Sequence, residues 1–307
     1  MKILLLAPYR NRGLSDSERE DFLPSQALIS LASYLRLSGH EPVLLDFNNS
    51  YVHRKKQPSQ YCIGETLKEL SKHGPKLIGI NCLFSGLFPT VLTYVDAIKN
   101  QYPDIKIAIG GIHATTYPKE ILENTPIDYI VIGEGERQIA EISNMIETDD
   151  YSEIDQINSF GYLDKSAQPQ RNRNISLLNY DELPLPAWDL VNFSNFEMDL
   201  RHYYDPKNLD IKNIVPVVSE RGCPFRCNFC NIYLIQGRKL RRRSASKFVD
   251  ELEILNKEYG QNYFSFMDDN LTADRRHIIS ICKEIVRRRL NIQFGTVGGI
   301  HVNSLDE

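Results

Sequence analysis

Three cysteines fall within eight positions of the stretch "SERGCPFRCNFCN", residues 219–231: Cys223, Cys227 and Cys230, spaced C-x3-C-x2-C. Three thiolates in one short loop can converge on a single metal centre while leaving one coordination position unfilled. A structural zinc site is closed by four protein ligands, usually as two C-x2-4-C knuckles, and here there is one cluster with no fourth cysteine beside it. An iron-sulfur cube held by three cysteines keeps one iron free to take a cofactor or substrate. The competing reading is zinc, with Cys282 or His277 reaching in from a helix far along the chain. A disulfide suits three cysteines poorly. Cys62, Cys82 and Cys282 are scattered and read as buried apolar residues.

The surrounding elements must hold that loop. The first half alternates β-rich runs ("KILLLAP", "EPVLLDF", "KLIGINCL", "IKIAIGG", "DYIVIGEGE") with helical patterns, and this predicts five strands with helices between them. Near-continuous apolar strands imply that both sheet faces are covered, as in a parallel, doubly wound α/β sheet of Rossmann-like type. Ligands of such sheets bind at the carboxyl ends of the strands. Four loops there are candidates: "PYRNRG", "LFSG", "GGIHATTYP" and "GEGE". Glycine lets backbone approach a bulky ligand closely, although Gly110, Gly111, Gly133 and Gly135 also suit tight strand-to-helix turns. His113 taken alone reads as a satisfied loop histidine. Residues 151–204 lose the rhythm: "GYLDKSAQPQRNR" reads as a polar hairpin, "YDELPLPAWDL" as a proline-stiffened connector, and Trp188 as an apolar plug between domains. From residue 205 onward strand-helix alternation resumes. Strand "NIVPVVS" runs into the cysteine loop, and two strand-helix units and one further strand follow, too few to close a barrel. The expected units are therefore 1–150, 151–204 and 205–307.

The stretch "RGCPFRCNFC", with an aromatic residue before the last cysteine, resembles the signature of the radical S-adenosylmethionine (SAM) superfamily. The resemblance implies that Cys223, Cys227 and Cys230 hold a 4Fe-4S cluster whose fourth iron chelates SAM, with the Phe229 backbone near the adenine. "GHEPVLLD", "GGIHATTYP", "DYIVIGEGE" and "DELPLPAWDL" extend it over the whole chain, as they look like the cobalamin-binding radical SAM subfamily. By that likeness residues 1–150 are a Rossmann-like cobalamin domain. Ser85 matches the loop under the corrin, Gly110 and Gly111 the glycine pair beside the nucleotide tail, and Gly133 with Glu134 the adjoining loop, with His113 in the same candidate cofactor-binding set. Residues 205–307 match the first part of a radical SAM barrel. One departure is that "APYRNRGL" lacks the D-x-H-x-x-G histidine that ligates cobalt in methionine-synthase-like domains. In "GRKLRRRS" five of six positions are basic; such a run is usually a solvated face or a helix-entry loop capped by Ser244 or Ser246. The resemblance instead turns Arg241 or Arg243 toward the SAM carboxylate. Asp268 and Asp269, ending the strand in "FMDDNLT", would meet the SAM amino or ribose groups, or else cap the following helix.

The implied activity is a radical enzyme in which the reduced cluster cleaves SAM and the 5'-deoxyadenosyl radical abstracts hydrogen from an unactivated carbon. Methyl transfer through cobalamin is the subfamily's commonest outcome. Ring formation of the kind seen in anaerobic magnesium-protoporphyrin ester cyclases is the second. A small-molecule substrate and an electron donor such as flavodoxin or ferredoxin are the implied partners. A cofactor- or zinc-binding fragment without turnover is the non-enzymatic alternative. The net charge of -4 gives no electrostatic case for nucleic acid. No apolar run reaches the roughly eighteen residues of a membrane span, and "ILLLAP" is too short for a signal-peptide core, so the expected setting is the cytosol.

Overall fold

The structure is a computed structural model that describes the chain except residues 11–21, 165, 167, 173–176, 197–210, 212, 297 and 301–307. Strands β1 (Lys2–Ala7), β2 (Glu41–Asp46), β3 (Leu77–Asn81), β4 (Lys106–Gly110) and β5 (Tyr129–Val131) are the five expected ones. Between them run α1 (Gln26–Leu37), α2 (Ser50–His53), α3 (Pro58–His73), α4 (Phe88–Gln101), α5 (Ile112–Thr116) and α6 (Pro118–Asn124), and α7 (Glu136–Thr148) follows. The five strands pair in parallel in the order β2-β1-β3-β4-β5. Because strand side chains alternate faces, the continuous run of β1 feeds two cores at once. Leu4 and Leu6 pack with Cys62, Leu70 and Val91 of α3 and α4. Ile3 and Leu5 pack with Leu28 and Leu35 of α1 and with Ile139 and Ile142 of α7.

The polar hairpin read from the sequence is built as β6 (Phe160–Leu163) and β7 (Pro169–Asn172), and it extends the same sheet antiparallel to β5, giving seven strands. Phe160 and Tyr162 bury their rings beside Tyr129. The expected boundary at residues 204 and 205 and the end of the "PYRNRG" loop lie outside the described residues.

Beyond it come β8 (Val215–Val217), β9 (Glu220–Arg221), α8 (Tyr233–Gln236) and β10 (Arg241–Arg242). They are followed by α9 (Ala245–Lys257), β11 (Tyr263–Phe266), α10 (Arg275–Arg288) and β12 (Gln293–Thr296). Strands β8, β11 and β12 form a parallel sheet in the order β12-β11-β8, the opening of a (β/α) barrel. Pro216 is accommodated because β8 is an edge strand among the described residues. Its carbonyl accepts a hydrogen bond from Gln26 of α1, so this edge faces the first sheet's helix layer. The third core joins the two portions: Ile29 of α1 and Trp188 pack with Val215, Phe248, Leu252 and Phe266. Trp188 is thus the plug expected from its connector, and its Nε1 also donates to Glu251 at 3.0 Å. Cys62 and Cys82 are fully buried as expected, whereas Cys282 is only half-buried, because its face of α10 borders a shallow surface groove. Among the described residues no helix is long and apolar enough to cross a membrane.

Candidate cofactor site between the sheet rim and the cysteine loop

The parallel order gathers the carboxyl ends of β1, β3, β4 and β5 on one rim, and the second portion packs over it. Between them lies a mostly apolar cavity of about 360 Å³, bordered by Gly110, Gly111, Gly133, Glu134, Arg221 and Arg243 among others. Gly111 is held at φ 102°, and a Cβ there would stand 2.3 Å from the Cys82 carbonyl oxygen. Only glycine fits, and the reason is the chain's own backbone. Gly133, at φ 79°, has its amide bonded to Thr115 Oγ1 at 2.9 Å. A Cβ on it would meet the Ile235 carbonyl of α8 at 3.3 Å, so this glycine admits the second portion's backbone. Ser85 and His113 sit together farther along the rim and do not border the cavity. His113 Nδ1 and Ser85 Oγ are 3.0 Å apart, and the imidazole lies between Phe88 and Tyr117. Burial lowers its pKa, which favours the neutral ring.

The cysteine loop connects β9 to α8 and β10. Gly222 opens it at φ 95°, where a Cβ would lie 2.4 Å from the Lys239 carbonyl oxygen. The Gly222 amide donates to Gln236 Oε1 at 2.9 Å and the Cys223 amide to the Gly237 carbonyl at 3.3 Å. Arg238 donates to the Phe225 carbonyl at 2.6 Å and stacks on Tyr233, so the loop is pinned at its base and middle. Cys223 and Cys230 are half-buried and Cys227 is exposed. Phe229 is 92% exposed. Burial, then the nearby Asp269 carboxylate and the other two thiols, raise the Cys223 pKa. Among the described residues no three Cys, His, Asp or Glu side chains are drawn together as a ligand set. Three thiols on one loop are soft donors suited to a thiolate-bound metal centre. Cys282 faces the outer groove with Ile279 and Val286, and no loop cysteine borders that groove.

The two aspartates after β11 part company. Asp268 is buried and accepts from the Ser219 amide (3.1 Å), the Ser219 hydroxyl (2.7 Å) and the Glu220 amide (2.7 Å). It clamps the turn from β8 into β9, which leads into the cysteine loop. Asp269 Oδ2 is buried without a hydrogen-bond partner, and burial pushes its pKa up to about 6. Asp274, not either of these, caps α10, through the Arg276 amide.

The basic run divides by strand geometry. Antiparallel pairing of β10 with β9 sets Arg241 opposite Arg221. Arg241 grips Glu134 with both terminal nitrogens and also donates to the Leu178 and Gln236 carbonyls. Arg242 pairs with Glu220 and Asp274. Arg243 turns inward, 2% exposed, donating to the Pro184 carbonyl and lying over Tyr180, while its Nε and Nη1 have no partner. Ser244 stands at the start of α9, where its amide donates to Asp181. Sequence reasoning missed Arg221, Glu136 and Tyr180. The second glutamate of "GEGE" and the arginine two places before Cys223 were visible, but their meeting across 85 residues was not.

Comparison with known proteins agrees with this layout. Residues 17–143 match the B12 binding domain family. The whole fold is similar to that of the cobalamin-dependent SAM radical enzyme OxsB in its form with aqua-cobalamin and SAM (TM-score 0.74, 20% identity, 95% of this chain, 38% of that one). It is also similar to the radical SAM methyltransferase TsrM from Kitasatospora setae, solved with cobalamin and a [4Fe-4S] cluster (TM-score 0.66, 19% identity, 94% of this chain, 51% of that one). The chain has the fold of the cobalamin-dependent radical SAM enzymes. The part matched by the B12 binding domain family supplies the glycine rim, and the part that follows it supplies the cysteine loop. In sequence the chain is 26% identical to cytidylyl-2-hydroxyethylphosphonate methyltransferase of Streptomyces wedmorensis, across 100% of this chain and 61% of that protein. It is 28% identical to anaerobic magnesium-protoporphyrin IX monomethyl ester cyclase of Cereibacter sphaeroides, across 94% of this chain and 44% of that protein. The chain therefore spans less than two thirds of the length of these relatives.

Proposed function

We propose that this chain forms the cofactor-binding part of a radical SAM enzyme, in which Cys223, Cys227 and Cys230 hold a 4Fe-4S cluster and the glycine rim of the B12-binding-type domain receives cobalamin. The carrying observation is the pinned C-x3-C-x2-C loop beyond a buried parallel strand, whose flanking residues Arg221, Ile232, Ile235 and Gln236 border the cavity over that rim. When bound, these groups would together supply one-electron reductive cleavage of SAM and methyl transfer to an unactivated carbon of a small-molecule substrate. The chain's own residues position and shield. Gly222 and Gln236 set the loop's entry angle, Asp268 fixes the strand end beneath it, and the unpartnered Asp269 Oδ2 would be available as an acceptor for the SAM amino group. The apolar lining contributed by Leu5, Ile109 and Val131 excludes water from the rim. His113, bonded to Ser85 on the rim outside the cavity, would offer a neutral ring rather than a charge to a group bound there. A flavodoxin or ferredoxin in the cytosol would supply the electron.

A second reading, radical ring formation, is favoured by likeness to magnesium-protoporphyrin ester cyclases from three organisms. One experiment separates them. Full-length protein, reconstituted anaerobically, is incubated with SAM and dithionite with and without cobalamin. Cobalamin-dependent formation of both 5'-deoxyadenosine and S-adenosylhomocysteine supports methyl transfer, and 5'-deoxyadenosine alone supports another radical reaction. A colourless, zinc-loaded protein that leaves SAM intact would refute both.

A further inference from the structure

Two ion pairs join the cysteine loop to the sheet rim, and both originate from one register pair of strands. Arg221 is the last residue of β9, two positions before Cys223, and Arg241 is its antiparallel partner on β10, where the chain returns from the loop. Arg221 donates to Glu136 Oε1 at 2.7 Å and to Ser30 Oγ at 3.2 Å, and lies 3.4 Å from Glu134. Glu136, in the first turn of α7, also accepts from Ser30 Oγ at 2.7 Å. Arg241 takes both oxygens of Glu134. Tyr180 lies beneath the Arg221 guanidinium at 4.6 Å and steadies it from the connector side. All four charged side chains are at least 86% buried. Among the described residues, the hydrogen-bond and ion-pair partners of the two arginines' terminal nitrogens belong to the rim, to α1, to α7, to the connector or to α8.

Burying two arginines and two glutamates is a poor way to gain stability, because the desolvation cost nearly cancels the attraction, and packed apolar side chains of similar volume do as well or better. Bidentate guanidinium-carboxylate contacts are strongly directional, however, so they fix orientation where an apolar contact would slide. The return end of the cysteine loop is held this way, by Arg241 on Glu134, and the entry end by the single Arg221–Glu136 hydrogen bond, with Ser30 bonded to both partners. We propose that Arg221, with Glu136, and Arg241, with Glu134, are positioning residues that set the cysteine loop's placement relative to the corrinoid rim, and so the relative placement of the two cofactors. This rests on the functional reading above.

The test uses full-length protein loaded with iron-sulfur cluster and cobalamin. Replacing Arg221 alone by alanine strands a buried Glu136 charge and is expected to unfold the chain. The informative variants are therefore Arg221→Lys and the paired apolar change Arg221→Met with Glu136→Leu. Cofactor content, melting temperature, KM for SAM, kcat, and the magnetic coupling between reduced cluster and cob(II)alamin seen by electron paramagnetic resonance are compared with wild type. The expected result for the paired variant is full loading, a melting temperature no lower than wild type, an altered coupling, and kcat reduced on the order of 10²-fold with KM for SAM unchanged. Wild-type coupling and kcat in both loaded variants would overturn the positioning role while leaving the functional reading intact. Wild-type protein that takes up neither group would remove the functional reading and this inference with it. A paired variant that melts lower and recovers wild-type kcat on cooling would show that the pairs serve stability, and would also overturn the proposal.

Discussion

The three thiols and one buried carboxylate carry the sharpest single-residue expectations. Cys223, Cys227 and Cys230 lie on a surface loop with no part in the three cores. Replacing all three by serine should change stability by no more than about 0.5 kcal/mol. The same change should abolish iron uptake, measured as iron content and brown absorbance after anaerobic reconstitution. Glu251 behaves oppositely, since it is buried on α9 and, among the described residues, has Trp188 Nε1 as its hydrogen-bond donor. Burial pushes its pKa from 4.5 to about 7, against the opposing field of Arg243. A raised carboxylate pKa means that the folded state keeps its proton while the unfolded chain has lost it. Stability should therefore decline as pH rises from about 4.5 to about 7 and then level off. Glu251→Gln keeps an acceptor for Trp188 without the charge. It should flatten that decline, matching wild type near pH 4 and exceeding it near pH 8 in urea midpoint.

At the scale of elements, turns decide whether the strands deliver their loops correctly. Gly111 follows β4 at φ 102° with the Cys82 carbonyl against the space a Cβ would fill. Gly111→Ala should cost at least about 2 kcal/mol in urea unfolding, from backbone strain plus overlap. Asp268 ties β11 to the β8–β9 turn through three donors, and alanine there leaves all three buried without an acceptor. The expected loss is roughly 2–4 kcal/mol. Because that turn leads directly into Gly222 and Cys223, cluster content should fall in proportion more than it does in Gly111→Ala. The hairpin β6–β7 was readable as a hairpin from its polar turn, but its attachment to the sheet was not. That depended on Phe160 and Tyr162 finding Tyr129 on the strand beside them.

For the whole molecule, the two portions behave as one unit because a shared apolar core and a charged seam lie side by side. Ile29 and Trp188 bridge the portions in the third core. Trp188→Ala should remove that wedge and leave Glu251 without its donor, costing about 3–5 kcal/mol by calorimetry. Glu136 marks the seam itself. Burial alone would raise its pKa, but the Arg221 charge and hydrogen bond hold it at about 2. Its stabilising contribution is therefore complete above about 4.5 and disappears as pH falls toward about 2. Acid unfolding monitored by far-ultraviolet circular dichroism should lose part of its steepness below pH 4.5 in Glu136→Gln.

Local order was written in the sequence. The near-continuous apolar runs of β1, β3 and β4 read as parallel strands covered on both faces, and three cysteines within eight positions mark a candidate metal loop without reference to any distant residue. What the basic run does, and what the glutamates of "GEGE" are for, emerged only with the fold. Arg241, Arg242 and Arg243 are identical in type and adjacent in sequence, yet pairing of β10 with β9 sends one to Glu134, one to Glu220 and Asp274, and one inward onto Tyr180. Charge reports that a side chain will seek an opposite partner. Which partner it meets depends on which strands lie side by side, and that is fixed by the packing of residues far apart along the chain.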